Sequence, residues 1–186
     1  MKKVIITLFA VLALASTQAF GQAFAGLGYF NATYSGHSSA QANGFYAGVG
    51  YDIALSGQLA VTPGIYYGLA LGAEDALGGK TNEHLVAVPV HFSYGFELAS
   101  DTKVFPYLGP MFEYGLSKEY TNGKISVKGY GDDARRFNIL LGGGVGLDVA
   151  NIRITVGYDR ALLSYSTEED YNIGKGIVRL GVGYKF

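Results

Sequence analysis

Residues 177–186 read I-V-R-L-G-V-G-Y-K-F and alternate strictly. Val178, Leu180, Val182, Tyr184 and Phe186 share one face, while Arg179, Gly181, Gly183 and Lys185 share the other. A period of two is the signature of a β-strand with unlike faces. The apolar face runs out to the aromatic Phe186 and needs a cover.

The same period recurs in segments 25–35, 44–55, 59–71, 83–98, 104–117, 135–149 and 152–163, which makes eight strands with the last one. Segment 83–98 is typical, setting Val86, Val88, Val90, Phe92, Tyr94 and Phe96 against Ala87, Pro89, His91, Ser93, Gly95 and Glu97. Beyond an N-terminal apolar stretch no run reaches the 18 residues of a membrane-spanning helix. Many Gly, Tyr and Phe residues, without runs of helix formers, point to an all-β chain. The connections alternate in length: 56–58, 99–103 and 150–151 are short, and 36–43, 72–82, 119–134 and 164–172 are long and polar. Asn122-Gly123 marks a two-residue hairpin turn inside 119–134.

Volume decides which face is outside. The interior of an eight-stranded barrel only just admits side chains, so the large Val, Leu, Ile, Phe and Tyr groups cannot all point into it. The Gly, Ala, Ser and Thr face fits inside, and hydrocarbon must cover the other. The expected fold is therefore an eight-stranded antiparallel up-and-down transmembrane β-barrel. It must be closed, because lipid leaves no partner for an unpaired backbone group. Short turns on one rim and long loops on the other place the short rim and both termini on the periplasmic side.

Residues 1–21 have the layout of a secretory signal peptide: Lys2 and Lys3, an apolar run over 4–15, then small residues up to a cut before Gln22. The barrel domain is then 22–186. Without Lys2 and Lys3 the 14 basic residues fall to 12 against 15 acidic ones, a net charge of −3 that argues against a nucleic-acid partner. The absence of cysteine excludes disulfides and thiolate metal sites. No cofactor or metal motif appears.

On the inward face lie Asp52, Glu97, Asp148, Arg153 and Lys185 near the short rim, with His91, Glu113, Asp159 and Arg179 deeper. Opposite charges in a narrow lumen should pair, because an unpaired buried charge is costly. The expected interior is a plug held by ion pairs, with no open channel. The prolines Pro63, Pro89, Pro106 and Pro110 all fall inside predicted strands, where each removes a ladder donor. Bulges or positions that need no hydrogen bond are expected there.

The stretches L-V-A-V-P-V-H-F-S-Y-G-F, F-P-Y-L-G-P-M-F-E-Y-G-L, F-N-I-L-L-G-G-G-V-G-L-D-V and R-L-G-V-G-Y-K-F resemble the small outer-membrane β-barrels of Bacteroidota, called porin-like or PorT-like. The resemblance covers 24–186 and implies an outer-membrane address. Tyr184 and Phe186 are similar to the C-terminal signal read by the barrel-assembly machinery. His91-Phe92-Ser93 is also similar to the H-x-S arrangement of outer-membrane lipid A deacylases, although Tyr94 stands where that family has Asn. Those enzymes present the pair to lipid, whereas the alternation here turns His91 and Ser93 inward. The expectation is a lumen histidine bonded to Glu113 or Ser93, and no catalysis.

His37 and His84 stand alone in or beside loops. Glu74-Asp75, Asp132-Asp133 and Glu168-Glu169-Asp170 make three long loops acidic, as solvated charge or as a cation bridge to lipopolysaccharide phosphate. The expected role is a monomeric membrane scaffold whose loops, chiefly 72–82 and 119–134, meet lipopolysaccharide, a protein or a host ligand. The alternatives are a lipid A-modifying hydrolase, or a conduit for small apolar solutes past Tyr46, Tyr66 and Tyr107.

Overall fold

The structure, a computed structural model, describes residues 21–36, 39–72, 79–123, 125–130, 135–164 and 173–186. Residues 1–20 of the expected signal peptide 1–21, His37 and the acidic groups Glu74, Asp75, Asp132, Asp133, Glu168, Glu169 and Asp170 lie outside these residues. The strands are β1 (Gly21–Ser35), β2 (Ser39–Ser56), β3 (Leu59–Gly72), β4 (Lys80–Tyr94), β5 (Phe96–Ala99), β6 (Thr102–Asn122), β7 (Ile125–Lys128), β8 (Phe137–Val149), β9 (Ile152–Ala161) and β10 (Gly174–Lys185).

All pairings are antiparallel, neighbours in the chain pair except β4 with β5 and β7 with β8, and β1 pairs with β10. The β4–β6 ladder completes the ring. Because β5 continues β4 past Gly95, and β7 is a hairpin return on β6, the wall is a closed eight-stranded barrel. Strand ends differ from the sequence expectation chiefly at the long-loop rim, where β2 and β6 run on as ladder into segments read as loop. The hairpin at Asn122-Gly123 is present: Asn122 faces Ile125, and Gly123 takes a positive φ of 57° that a side chain would resist.

The faces are as the alternation requires. Val178, Leu180, Val182, Tyr184 and Phe186 are exposed, while Lys175, Ile177 and Gly181 are buried. Large exposed apolar side chains occur on every barrel strand. Each would forfeit about 1.5–3 kcal/mol if it faced water instead of hydrocarbon, so a lipid surround is the only economical one. Aromatic pairs mark both edges of the band, Tyr94–Phe96 and Tyr184–Phe186 toward the short turns and Tyr29–Phe45 toward the long loops. Both described chain ends lie on the short-turn rim, where Phe186 N donates to Ala23 O at 2.9 Å.

Val145, outward in the middle of β8, gives a direct test of facing. Val145→Arg is expected to lower stability by about 2–4 kcal/mol when the protein is refolded into lipid vesicles and titrated with urea. An unchanged midpoint would contradict the lipid-facing assignment.

Candidate functional site in the barrel lumen

The inward face is stacked in layers. Nearest the short turns, Arg153 of β9 binds two carboxylates at once. Its Nε and Nη2 donate to Asp148 Oδ1 and Oδ2 at 2.8 and 2.9 Å, and its Nη1 and Nη2 donate to Asp52 Oδ1 and Oδ2 at 3.0 and 2.6 Å. Lys185 Nζ donates to Asp148 Oδ2 at 2.8 Å and Thr62 Oγ1 to Asp52 Oδ1 at 2.8 Å, so the excess negative charge is matched. The guanidinium lies between the rings of Phe24 and Phe105, 4.7 and 4.6 Å from their centroids. Glycines opposite make room for these rings. A Cβ on Gly50 would sit 2.3 Å from Phe24, and one on Gly146 would sit 2.0 Å from Phe105.

The next layer holds Arg179, Asp159, His91, Tyr46, Tyr66 and Tyr107. Arg179 Nη2 is 2.7 Å from Asp159 Oδ2, an ion contact that lacks the alignment of a hydrogen bond, and Asp159 is fully buried. Tyr46 meets Tyr66 edge-on at 5.6 Å, and Tyr107 lies 4.8 Å from the His91 ring. The expected bond from His91 to Glu113 or Ser93 is not formed. Ring contact with Tyr107 fixes the imidazole instead, and its Nε2 is buried with no partner among the described residues.

Above this, Phe30, Leu85, Met111, Leu140 and Ile177 pack into an apolar layer. Toward the long loops Lys175 binds Glu113, and its ammonium lies 5.5 Å from the Tyr34 ring centroid. Tyr130, beyond the hairpin, turns back over the mouth and donates to Glu83 Oε1 at 2.8 Å. Glu97 is the sequence-named charge that joins none of these groups: it follows the break at Gly95 and stands exposed on the short rim opposite Lys103.

Two spaces remain. A vestibule of about 710 Å³ at the short-turn end is lined by Gln22, Asp52, Glu97, Lys103, Arg153 and Lys185. A chamber of about 70 Å³ lies further in, bounded by the tyrosines, His91, Arg153 and Arg179. Arg153 and Phe105 stand between the two.

Sequence reasoning did not find Lys175, Glu83, Tyr34 or Tyr130. The signal for Lys175 was present, since the alternation continues back from Arg179 through Ile177. His91 and Ser93 line the interior, and Val90, Phe92 and Tyr94 face out. The pair is therefore not presented on the outer surface.

The model of the outer membrane protein β-barrel domain matches residues 4–186. The chain belongs to this family of outer-membrane barrels. A comparison with curated proteins finds no match. Among solved structures, neisserial surface protein A is similar at 19% identity and a TM-score of 0.57, covering 88% of this chain and 97% of its own. The attachment invasion locus protein Ail of Yersinia pestis is similar at 15% identity and 0.55, covering 90% and 99%. The outer membrane enzyme PagL is similar at 15% and 0.51, covering 84% and 98%. At such identities the likeness is one of fold. It spans enzyme and non-enzyme alike.

Proposed function

We propose that the chain is a non-enzymatic scaffold of the outer membrane that works through its long loops, with the short rim and both termini in the periplasm. The observation that carries this reading is the extended hairpin of β6 and β7, which rises beyond the barrel wall and bares Ile125 and Val127, 67% and 57% exposed. Apolar groups held out on an ordered ribbon suit a surface that meets a partner. The layered lumen, closed by Arg153 at one end and Tyr130 at the other, favours a plug over a pore. The inward facing of His91 and Ser93 speaks against a lipid A hydrolase. Tyr184 and Phe186 would be read by the barrel-assembly machinery, and the barrel would act as a monomer, as expected for a PorT-like protein of Bacteroidota.

Ail has been solved with the heparin analogue sucrose octasulfate, which makes a sulfated glycan a suitable first probe beside lipopolysaccharide. The purified barrel in nanodiscs would be tested against immobilised heparin and lipopolysaccharide, intact and with 72–82 or 119–134 replaced by Asn-Gly. The replacements are expected to keep the heat-dependent gel mobility of a folded barrel and to reduce binding at least tenfold. Binding that survives both would remove the loops as the site. Planar-bilayer conductance is expected to stay at background.

A further inference from the structure

All four prolines of the chain fall in three neighbouring strands, β3, β4 and β6. The β1–β2, β1–β10, β9–β10, β8–β9 and β6–β8 ladders run without a skipped pair. The others do not. Between β2 and β3 pairing passes from Gly50–Gly64 to Ile53–Val61, omitting Pro63. Between β3 and β4 it passes from Tyr66–Ala87 to Pro63–Val90, omitting Pro89. Between β4 and β6 it passes from Pro89–Met111 to Phe92–Leu108, omitting Pro110, and then from Ser93–Tyr107 to Phe96–Val104 across β5, omitting Pro106.

The pairs on either side of each gap keep the same register, so these are missing rungs and the expected bulges are absent. The actual bulges lie elsewhere, at Ala54/Ser56, His84/Leu85 and Glu97/Ala99. Each proline lacks the N–H that its rung requires. A closed barrel has no free edge on which to hide that loss. The β4–β6 seam loses rungs at two places in the half of the wall nearer the short turns, and a ladder with fewer rungs opens at lower cost.

Behind the seam lies the inner chamber, with Pro89, His91, Tyr107 and Arg179 on its walls. His91 Nε2 and Arg179 Nε on this chamber are buried and have no hydrogen-bond partner among the described residues, and the same holds for Arg179 Nη2 and both carboxylate oxygens of Asp159. Buried polar atoms left in this state call for a partner. Because Asp159 already compensates the charge of Arg179, the site suits a head that brings no net charge and can both accept and donate. On the outer side of the seam stand Val90, Phe92 and Leu108, which are apolar and face lipid.

We propose that the β4–β6 seam and the chamber behind it form a lateral site for a single-chain amphiphile of the fatty-acid class. Its carboxyl head, protonated and so uncharged, is received by Arg179 and His91, and its tail stays in the bilayer beside Val90 and Pro110. The volume of about 70 Å³ admits a head group and no more, which restricts the guest to one slender chain.

Two measurements test this. In hydrogen exchange on the unaltered protein in nanodiscs, the amides of Val90, Phe92 and Leu108 are expected to exchange at least tenfold faster than those of Val145 and Val156. Equal protection would overturn the opening seam. In the second, a fatty acid carrying a diazirine beside its carboxyl group is expected to label peptides containing His91 or Tyr107. The native chain has no cysteine, so Phe92→Cys with Leu108→Cys, an outward-facing pair at the edge of the gap, places a lockable bridge across the seam and leaves all four prolines in place. Oxidation is expected to cut labelling at least fivefold, and reduction of the same sample to restore it, with gel mobility confirming the fold in both states. Labelling that persists when the seam is locked would mean entry through the vestibule, and no labelling at the chamber would mean no site; either overturns the proposal.

Discussion

Replacing Arg153 by methionine is expected to destabilise the barrel by about 3–5 kcal/mol, because it strands two carboxylates inside the wall. Arg153 is the sole link between Asp52 and Asp148 among the described residues, and it fills the gap between Phe24 and Phe105. Lys185 would still hold Asp148, but Asp52 would keep only the hydroxyl of Thr62. Arg153→Lys keeps the charge and is expected to recover less than half of the loss, since an ammonium cannot serve two carboxylates as a planar fork or stack between two rings. The variants would be refolded into lipid vesicles and their urea midpoints compared. A loss below 1 kcal/mol for Arg153→Met would show that the vestibule solvates both carboxylates well enough to do without the pair.

The alternation that made the strands readable also made most of this network readable. Parity along a strand is a rigid geometric rule, so once Arg179 is inward, Arg153, Asp148 and Asp52 follow from the small residues around them. Where the rule is interrupted the reading stops. Parity groups Glu97 with the lumen charges, but Gly95 breaks the strand, and beyond it Glu97 stands exposed at the vestibule without joining the Arg153 cluster. Lys175 was missed for the opposite reason. The strand expected from Ile177 starts three residues earlier, at Gly174, where Gly174 and Gly176 carry no side chain to show the alternation.

Composition misled in one further respect. The volume argument gives the interior to Gly, Ala, Ser and Thr, yet Phe24, Phe30 and Phe105 are inside as well, beside the Tyr46, Tyr66 and Tyr107 already expected along the lumen. The two facts are linked, since the glycines supply the depth that the rings occupy. A Cβ on Gly181 would sit 2.4 Å from the Tyr46 hydroxyl, and one on Gly157 would sit 2.3 Å from that of Tyr107. Such pairs join different strands, and a single-strand pattern carries no record of which ring meets which gap. The missing rungs at the prolines were foreseeable in kind, but their gathering on adjoining strands emerges only from the order of the strands.

The second large effect lies at the other end of the lumen. Lys175 is 2% exposed and binds Glu113, itself buried, so the ammonium supplies that carboxylate's counter-charge. Lys175→Met is expected to cost about 3–5 kcal/mol, more than a solvent-facing pair could, whose value is about 0–1 kcal/mol. The cost is the desolvation of a carboxylate left behind, and removing that carboxylate should relieve it. The double variant Lys175→Met with Glu113→Leu is therefore expected to regain most of the lost stability, because a well-packed apolar replacement of a buried pair is often neutral or better. The neighbours favour this outcome, since Phe30, Leu85, Met111 and Ile177 already form an apolar layer directly below. Urea titration of the single and double variants in the same vesicles would measure the coupling. If the double variant were no more stable than Lys175→Met alone, Glu113 would be held by other groups at the mouth, with Glu83 and Tyr130 the first to examine. Full recovery would mark the pair as a source of specificity in the lumen, and the layers nearer the short turns would then carry the stability of the plug.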